Sequence, residues 1–185
     1  AATGVFVGAS PLVALQLWAW HVVYGRWLVF SYGAEGESFH WTRPELARAL
    51  FSSWHGLFYW HPLLFIAAAG AGGWAWRSEF PRAWVGAAVL TVYVNAAWWC
   101  WWFGSAFGSR AFDAALLPLM GGFAWLLQRS TPAWRGWLWR AALAAGVWNF
   151  YLVVLYRTAA ISRSEPVTVG TMFTAMFHLG GALQF

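Results

Sequence analysis

The sequence predicts an all-α membrane protein: a polytopic transmembrane bundle of about five spans with short interfacial helices, forming one membrane domain over residues 1–185. Three observations carry this. Hydrophobic residues make up 61% of the chain and charged residues only 9%, where a soluble domain carries roughly 25% charge. Five apolar runs approach the roughly 20 residues needed to cross a bilayer. Trp98, Trp99, Trp101 and Trp102 close one of these runs, and tryptophan favours the boundary between hydrocarbon and water because its ring is apolar while its N–H needs a partner.

The first span is expected at 5–24, with Pro11 inside it and with Gln16 and His21 facing protein rather than lipid. The second is expected at 57–76, the third at 84–102, the fourth at 112–127 and the fifth at 137–156. The fourth is short and holds Pro118, Gly121 and Gly122, which predicts a kinked or partly embedded helix. Between the first two spans, segment 31–56 opens as a loop around Gly33, Glu35, Gly36 and Glu37. Thr42-Arg43-Pro44-Glu45 then matches a capping box with proline in the first turn. It predicts a helix over 44–52, apolar at Leu46, Leu50 and Phe51, lying on the membrane surface. Thr131-Pro132 starts the fifth helix in the same manner. In the tail, 158–185, Met172, Phe173, Met176 and Phe177 recur at helical spacing, as a surface helix or a partner contact does.

All 11 basic residues are arginine, and their placement orients the bundle. Arg77, Arg82, Arg129, Arg135 and Arg140 sit in two short loops with Glu79 as their single acid. The other six arginines are nearly balanced by the remaining five acids. The basic loops are therefore expected in the cytoplasm. That puts the N-terminus inside and leaves 31–56, the turn 103–111 and the tail outside. The net charge of +5 is explained by this asymmetry, and no nucleic-acid partner is expected. One cysteine, Cys100, excludes an internal disulfide and a cysteine-cluster metal site. The chain begins at Ala1 without an initiator Met, and it is expected to be a fragment, a processed product or part of a longer protein.

Chemistry-bearing residues gather on the outer side. In the turn 103–113, Arg110 can grip a phosphate bidentately while Gly104 and Gly108 let backbone N–H groups approach it. Equally, the turn can be a connection in which Arg110 pairs with Asp113 or with lipid headgroups. His55 and His61 are six residues apart and do not share a helical face, so they form no metal pair by themselves. His21 is either a hydrogen-bonded buried histidine or an axial ligand of a haem or chlorin. His40 and His178 read as interfacial. Glu35 and Glu37 belong to a solvated loop, bind a divalent cation or act as a base. There is no P-loop, dinucleotide fingerprint, Ser-His-Asp set or zinc spacing.

Three blocks carry a resemblance. They are Phe39-His40-Trp41-Thr42-Arg43-Pro44, the run 50–63 from Leu50 through Ser53-Trp54-His55-Gly56-Leu57-Phe58 to Leu63, and Trp101-Trp102-Phe103-Gly104-Ser105-Ala106-Phe107-Gly108-Ser109-Arg110 followed by Leu116-Leu117-Pro118-Leu119. In this order they resemble bacterial multi-spanning glycosyltransferases of the GT-C type, related to family 39 mannosyltransferases, over about residues 5–160. Three positions depart from the pattern: Trp54 stands for Arg, His61 for Thr and Phe103 for Gly.

The resemblance implies polyprenyl-phosphate sugar as donor, a bacterial inner-membrane location and a catalytic acid on an earlier outer loop, so no catalytic residue is assigned within this chain. What carries over is an outer-face surface for lipid phosphate or sugar, with Arg43, His55, Arg110 and Asp113 as candidates. Neither a metal nor a cofactor is expected on this reading. The alternative is a non-catalytic subunit of an energy-transducing or light-harvesting complex, packing against partner helices, membrane lipids or pigment.

Overall fold

The computed structural model describes residues 2–29, 37–105 and 107–182, and leaves aside the side chains of 2–9, 176 and 178–182. The predicted loop residues Gly33, Glu35 and Gly36, the turn residue Ala106, and the side chains of Met176 and His178 lie outside the described residues. The described residues are helical; they include no strand, only an isolated antiparallel bridge between Phe39 and Trp98. The chain divides into two units, residues 1–38 and 39–185.

In the first unit, α1 spans Ala2–Tyr24. It stops at Gly25, whose φ of +69° suits a residue without a Cβ and whose N–H donates to the His21 carbonyl at 2.9 Å. The His21 ring stacks on Trp27 at 4.2 Å.

The second unit contains α2 (Leu46–Phe51), α3 (Leu57–Trp60), α4 (Pro62–Arg77), α5 (Glu79–Ala97), α6 (Asp113–Arg129), α7 (Pro132–Arg157) and α8 (Val169–Ala182). A one-turn 3₁₀ helix, Arg110–Phe112, leads into α6. Two helical stretches among the described residues are long and apolar enough to cross a membrane: Arg110–Arg129, with mean hydropathy 1.3, and Pro132–Arg157, with 1.5.

Helix α4 packs most closely against α6, through small residues. A Cβ on Gly70 would stand 2.3 Å from the Gly122 carbonyl oxygen, and a Cβ on Gly122 would stand 2.3 Å from the Ala71 nitrogen. Close backbone approach through small residues is how helices associate where burial in hydrocarbon gives no drive. Beside this contact Trp125 covers Gly73 and Trp74 covers Gly121. Ala67, Ala71, Ala88, Ala115, Leu119 and Phe123 complete this core. A second core joins Trp60 to Leu152 and Leu155 of α7 and to Ile161, Val167 and Met172 of the tail.

Three sequence expectations are corrected. The run 57–76 is not one helix: it breaks at His61, with φ −130° and ψ 69°, because Pro62 disfavours helical geometry in the residue before it. The third apolar helix ends at Ala97, ahead of the tryptophans, which form turns instead. Its last carbonyls are taken by the chain before α2: the His40 N–H donates to Ala97 at 2.6 Å and the Glu45 N–H to Ala96 at 2.8 Å. The same bond dismantles the Thr42 capping box. The N–H that a Thr42 hydroxyl would need is already committed, so α2 begins at Leu46 with no side-chain cap. Thr131 does cap α7, its hydroxyl accepting from the Trp134 N–H at 3.4 Å.

Candidate functional site

The candidate site forms where the turn 52–56, the break at His61 and the turn 103–113 meet α7. The first turn is tight. The Gly56 N–H donates to the Ser52 carbonyl at 2.9 Å, and a Cβ on Gly56 would stand 2.4 Å from the Ser52 nitrogen. His55 takes a φ of +61°, a conformation that side chains with a Cβ rarely adopt. The Ser109 hydroxyl donates to the His55 carbonyl and ties the two turns together. Trp54 stacks on Trp102 at 4.2 Å and meets Trp101 edge-on.

The second turn is keyed by Phe107. Its ring lies edge-on to Trp60 at 5.6 Å, to His61 at 6.2 Å and to Tyr156 at 5.4 Å. The Tyr156 hydroxyl donates to the Ser105 carbonyl, and the Arg163 guanidinium sits over the Tyr156 ring at 5.1 Å. Phe103, Gly104 and Gly108 all have positive φ, so this turn is wound in the left-handed region on both sides of Phe107.

A cavity of about 320 Å³ lies under this turn. Its polar lining is His61, Ser109, Arg110, Asp113 and Asn149; Leu57, Leu64, Phe107, Phe112 and Leu116 make it otherwise apolar. Arg110 is exposed, and its guanidinium makes no ion pair, hydrogen bond or ring contact among the described residues, although Asp113 lines the same cavity. Asp113 opens α6, where a carboxylate is favoured by the helix dipole, and its N–H donates to the Arg110 carbonyl. Asn95 on α5 donates its side-chain N–H to the Ala111 carbonyl at 2.6 Å and holds the short helix in place.

The four sequence candidates separate. Arg110 and Asp113 share the cavity. His55 contributes only its backbone carbonyl to the joining of the turns. Its ring is 4% exposed, stacks on Trp60 at 5.4 Å and leaves both nitrogens without a hydrogen-bond partner. Burial pushes this imidazole below the ordinary histidine pKa, and the nearby backbone of Arg163, short of good hydrogen-bond geometry, opposes that shift. Arg43 lies in the chain before α2, exposed, with its N–H on the His40 carbonyl at 3.0 Å, and does not line the cavity.

Three polar cavity residues were not among those candidates: His61, Ser109 and Asn149. Asn149 had a signal: it is the only carboxamide in the apolar stretch 141–156, where a polar side chain needs a hydrogen-bond partner. Among the described residues no three His, Cys, Asp or Glu side chains converge as a metal site does. No protein-family profile, curated protein or solved structure matches the chain.

Proposed function

We propose that this chain is the membrane-embedded portion of a glycosyltransferase-like protein, and that the cavity under the turn 103–113 receives the phosphate of a polyprenyl-phosphate sugar at the outer face of a bacterial inner membrane. One observation carries the reading. Two sequence blocks about fifty residues apart, 52–62 and 101–110, fold against each other around a cavity whose lining includes Arg110, its guanidinium without a partner among the described residues. An unpaired guanidinium beside an apolar cavity supplies both halves of a lipid-phosphate site: a bidentate anion grip and a place for the attached chain or ring.

On this reading α1, the broken pair α3–α4, α5, α6 and α7 are the five spans, and α2 and α8 lie at the outer surface. The arginine-rich connections 77–82 and 129–140 are cytoplasmic. Single cysteines placed at Glu79 and Ala133 in a Cys100→Ser background then label from the cytoplasm, and one at Ser164 labels from outside. The reverse pattern excludes the assigned face.

The binding claim is tested with purified chain in nanodiscs and a long-chain polyprenyl phosphate as probe. Arg110→Ala lowers its retention on this reading, while Arg43→Ala leaves it unchanged; retention equal to wild type in Arg110→Ala overturns the site. The chain alone transfers no sugar from a panel of polyprenyl-phosphate sugars, because the resemblance puts the catalytic acid on an earlier loop.

A second reading, a non-catalytic subunit, is favoured by α7. Trp134, Trp137, Leu143, Val147 and Phe150 are all more than half exposed along it, and Leu143 and Phe150 are each 72% exposed. Such a face fits lipid or a partner helix. Visible absorbance of the complex purified from its membrane separates the two, since bound pigment favours the subunit.

A further inference from the structure

His61 is the cavity residue whose chemistry the phosphate reading leaves unused. Its Nδ1 lies 2.6 Å from Asn149 Oδ1. Which atom of Asn149 faces the ring is decided by the other end of the amide. Its Nδ2 donates to the Ala145 carbonyl at 2.9 Å, one turn back on α7, so the oxygen faces His61 and acts as acceptor. Nδ1 must therefore carry the hydrogen. In the neutral ring that leaves Nε2 as an acceptor with its lone pair free, since the bond at one nitrogen sets the role of the other.

Nothing among the described residues donates to Nε2. Gly108 packs beside it, and a Cβ there would stand 2.6 Å from this nitrogen. Glycine thus makes room for the His61 ring, at a position whose φ of +55° also disfavours any other residue. Arg110 and Asp113 line the same cavity. The lining therefore combines a cation, a carboxylate acceptor and a neutral nitrogen acceptor, with apolar walls.

We infer that the His61 Nε2 accepts a hydrogen bond from a hydroxyl group of a glycosyl phosphate whose phosphate is held by Arg110, making His61 the residue that distinguishes a sugar phosphate from a bare phosphate. The inference rests on the phosphate reading above and adds the hydroxyl half of the ligand. Phosphate offers acceptors to Arg110. Sugar hydroxyls offer donors, and the lining answers them with Nε2 and the Asp113 carboxylate. A site built around hydroxyl donors rejects analogues that lack them, because the buried acceptor is then left unpaired.

The test uses the whole chain in detergent micelles and compares mannose 1-phosphate with methyl phosphate, which has the anion and no hydroxyl. Wild type is expected to bind mannose 1-phosphate about tenfold more tightly. His61→Asn keeps an amide N–H for Asn149 and has no atom at the Nε2 position. It removes that preference and leaves methyl phosphate affinity unchanged, whereas His61→Gln, whose amide reaches the Nε2 position, keeps part of it. An equal affinity of wild type for both probes, or an unchanged preference in His61→Asn, overturns the inference.

If His61→Asn does not fold, the ¹⁵N shift of wild-type Nε2 decides: it moves with mannose 1-phosphate and not with methyl phosphate, and an unmoved signal counts against the assignment. Methyl phosphate binding that survives Arg110→Ala defeats the phosphate reading alone, and binding of neither probe rejects both. A polyprenyl mannosyl phosphate serves as a third probe; tighter binding than mannose 1-phosphate names a lipid-linked source, and weaker binding a soluble one.

Discussion

The Glu45 N–H and the Ala96 carbonyl, 2.8 Å apart, join the start of one helix to the end of another. Each closes an orphan that the other helix leaves open: α5 has unpaired carbonyls at its C-terminus and α2 has unpaired N–H groups at its start. The bond also explains why a well-formed capping sequence goes unused.

Thr131→Ala is therefore expected to cost about 1 kcal/mol, as removal of a helix cap does, while Thr42→Ala leaves stability within about 0.5 kcal/mol of wild type. Thermal unfolding of both variants in the same detergent checks the contrast. A larger loss at Thr42 would restore the capping box.

Gly122→Ala is expected to destabilise the α4–α6 pair by about 1–3 kcal/mol, because its Cβ would meet the Ala71 nitrogen at 2.3 Å and the Ala67 carbonyl oxygen at 2.6 Å. Gly136→Ala and Gly146→Ala on α7 meet nothing within 4 Å. They are expected to be neutral or to gain up to about 1 kcal/mol from helix propensity. Equal thermal midpoints across the three variants would remove the packing argument.

Stability is expected to fall on acidification through His55. Above about pH 6.5 the imidazole is neutral both folded and unfolded. Below that the unfolded chain takes a proton that the buried ring resists, so stability declines from about pH 6.5 toward the depressed folded pKa. His55→Asn tolerates the positive φ and does not titrate there. Chemical denaturation between pH 7.5 and 5 should give a flatter profile for the variant; identical slopes would place the titrating group elsewhere.

Gly108→Ala is expected to abolish the preference for mannose 1-phosphate over methyl phosphate, since the new Cβ covers the His61 Nε2. Gly104→Ala meets nothing within 4 Å and shares the positive φ. It therefore controls for backbone strain and should keep the preference. Titration of both probes against the two variants separates covering from strain.

What the sequence made legible follows from which forces are local. Apolar length located α1, α6 and α7, and Thr131-Pro132 marked the start of α7. The end of α5 was not legible, because Trp98 to Trp102 continue an apolar pattern, and the helix stops for hydrogen bonds from residues about fifty positions away. Arg110 and Asp113 could be singled out as charges in a glycine-rich turn. The partnership of His61 with Asn149 spans 88 positions and depends on an amide orientation fixed by Ala145, so no local pattern announces it.

The exchange of bulk between α4 and α6, with Trp125 over Gly73 and Trp74 over Gly121, has an evolutionary consequence. Each glycine is a vacancy shaped by the indole on the opposite helix, so the four positions form two complementary couples. Drift at one member is neutral only when its counterpart changes in the opposite sense. In descendants that preserve this helix pair, growth at 121 should accompany shrinkage at 74, and growth at 73 shrinkage at 125. Where either couple drifts singly, the two helices must separate, and the spacing that Gly70 and Gly122 permit is lost.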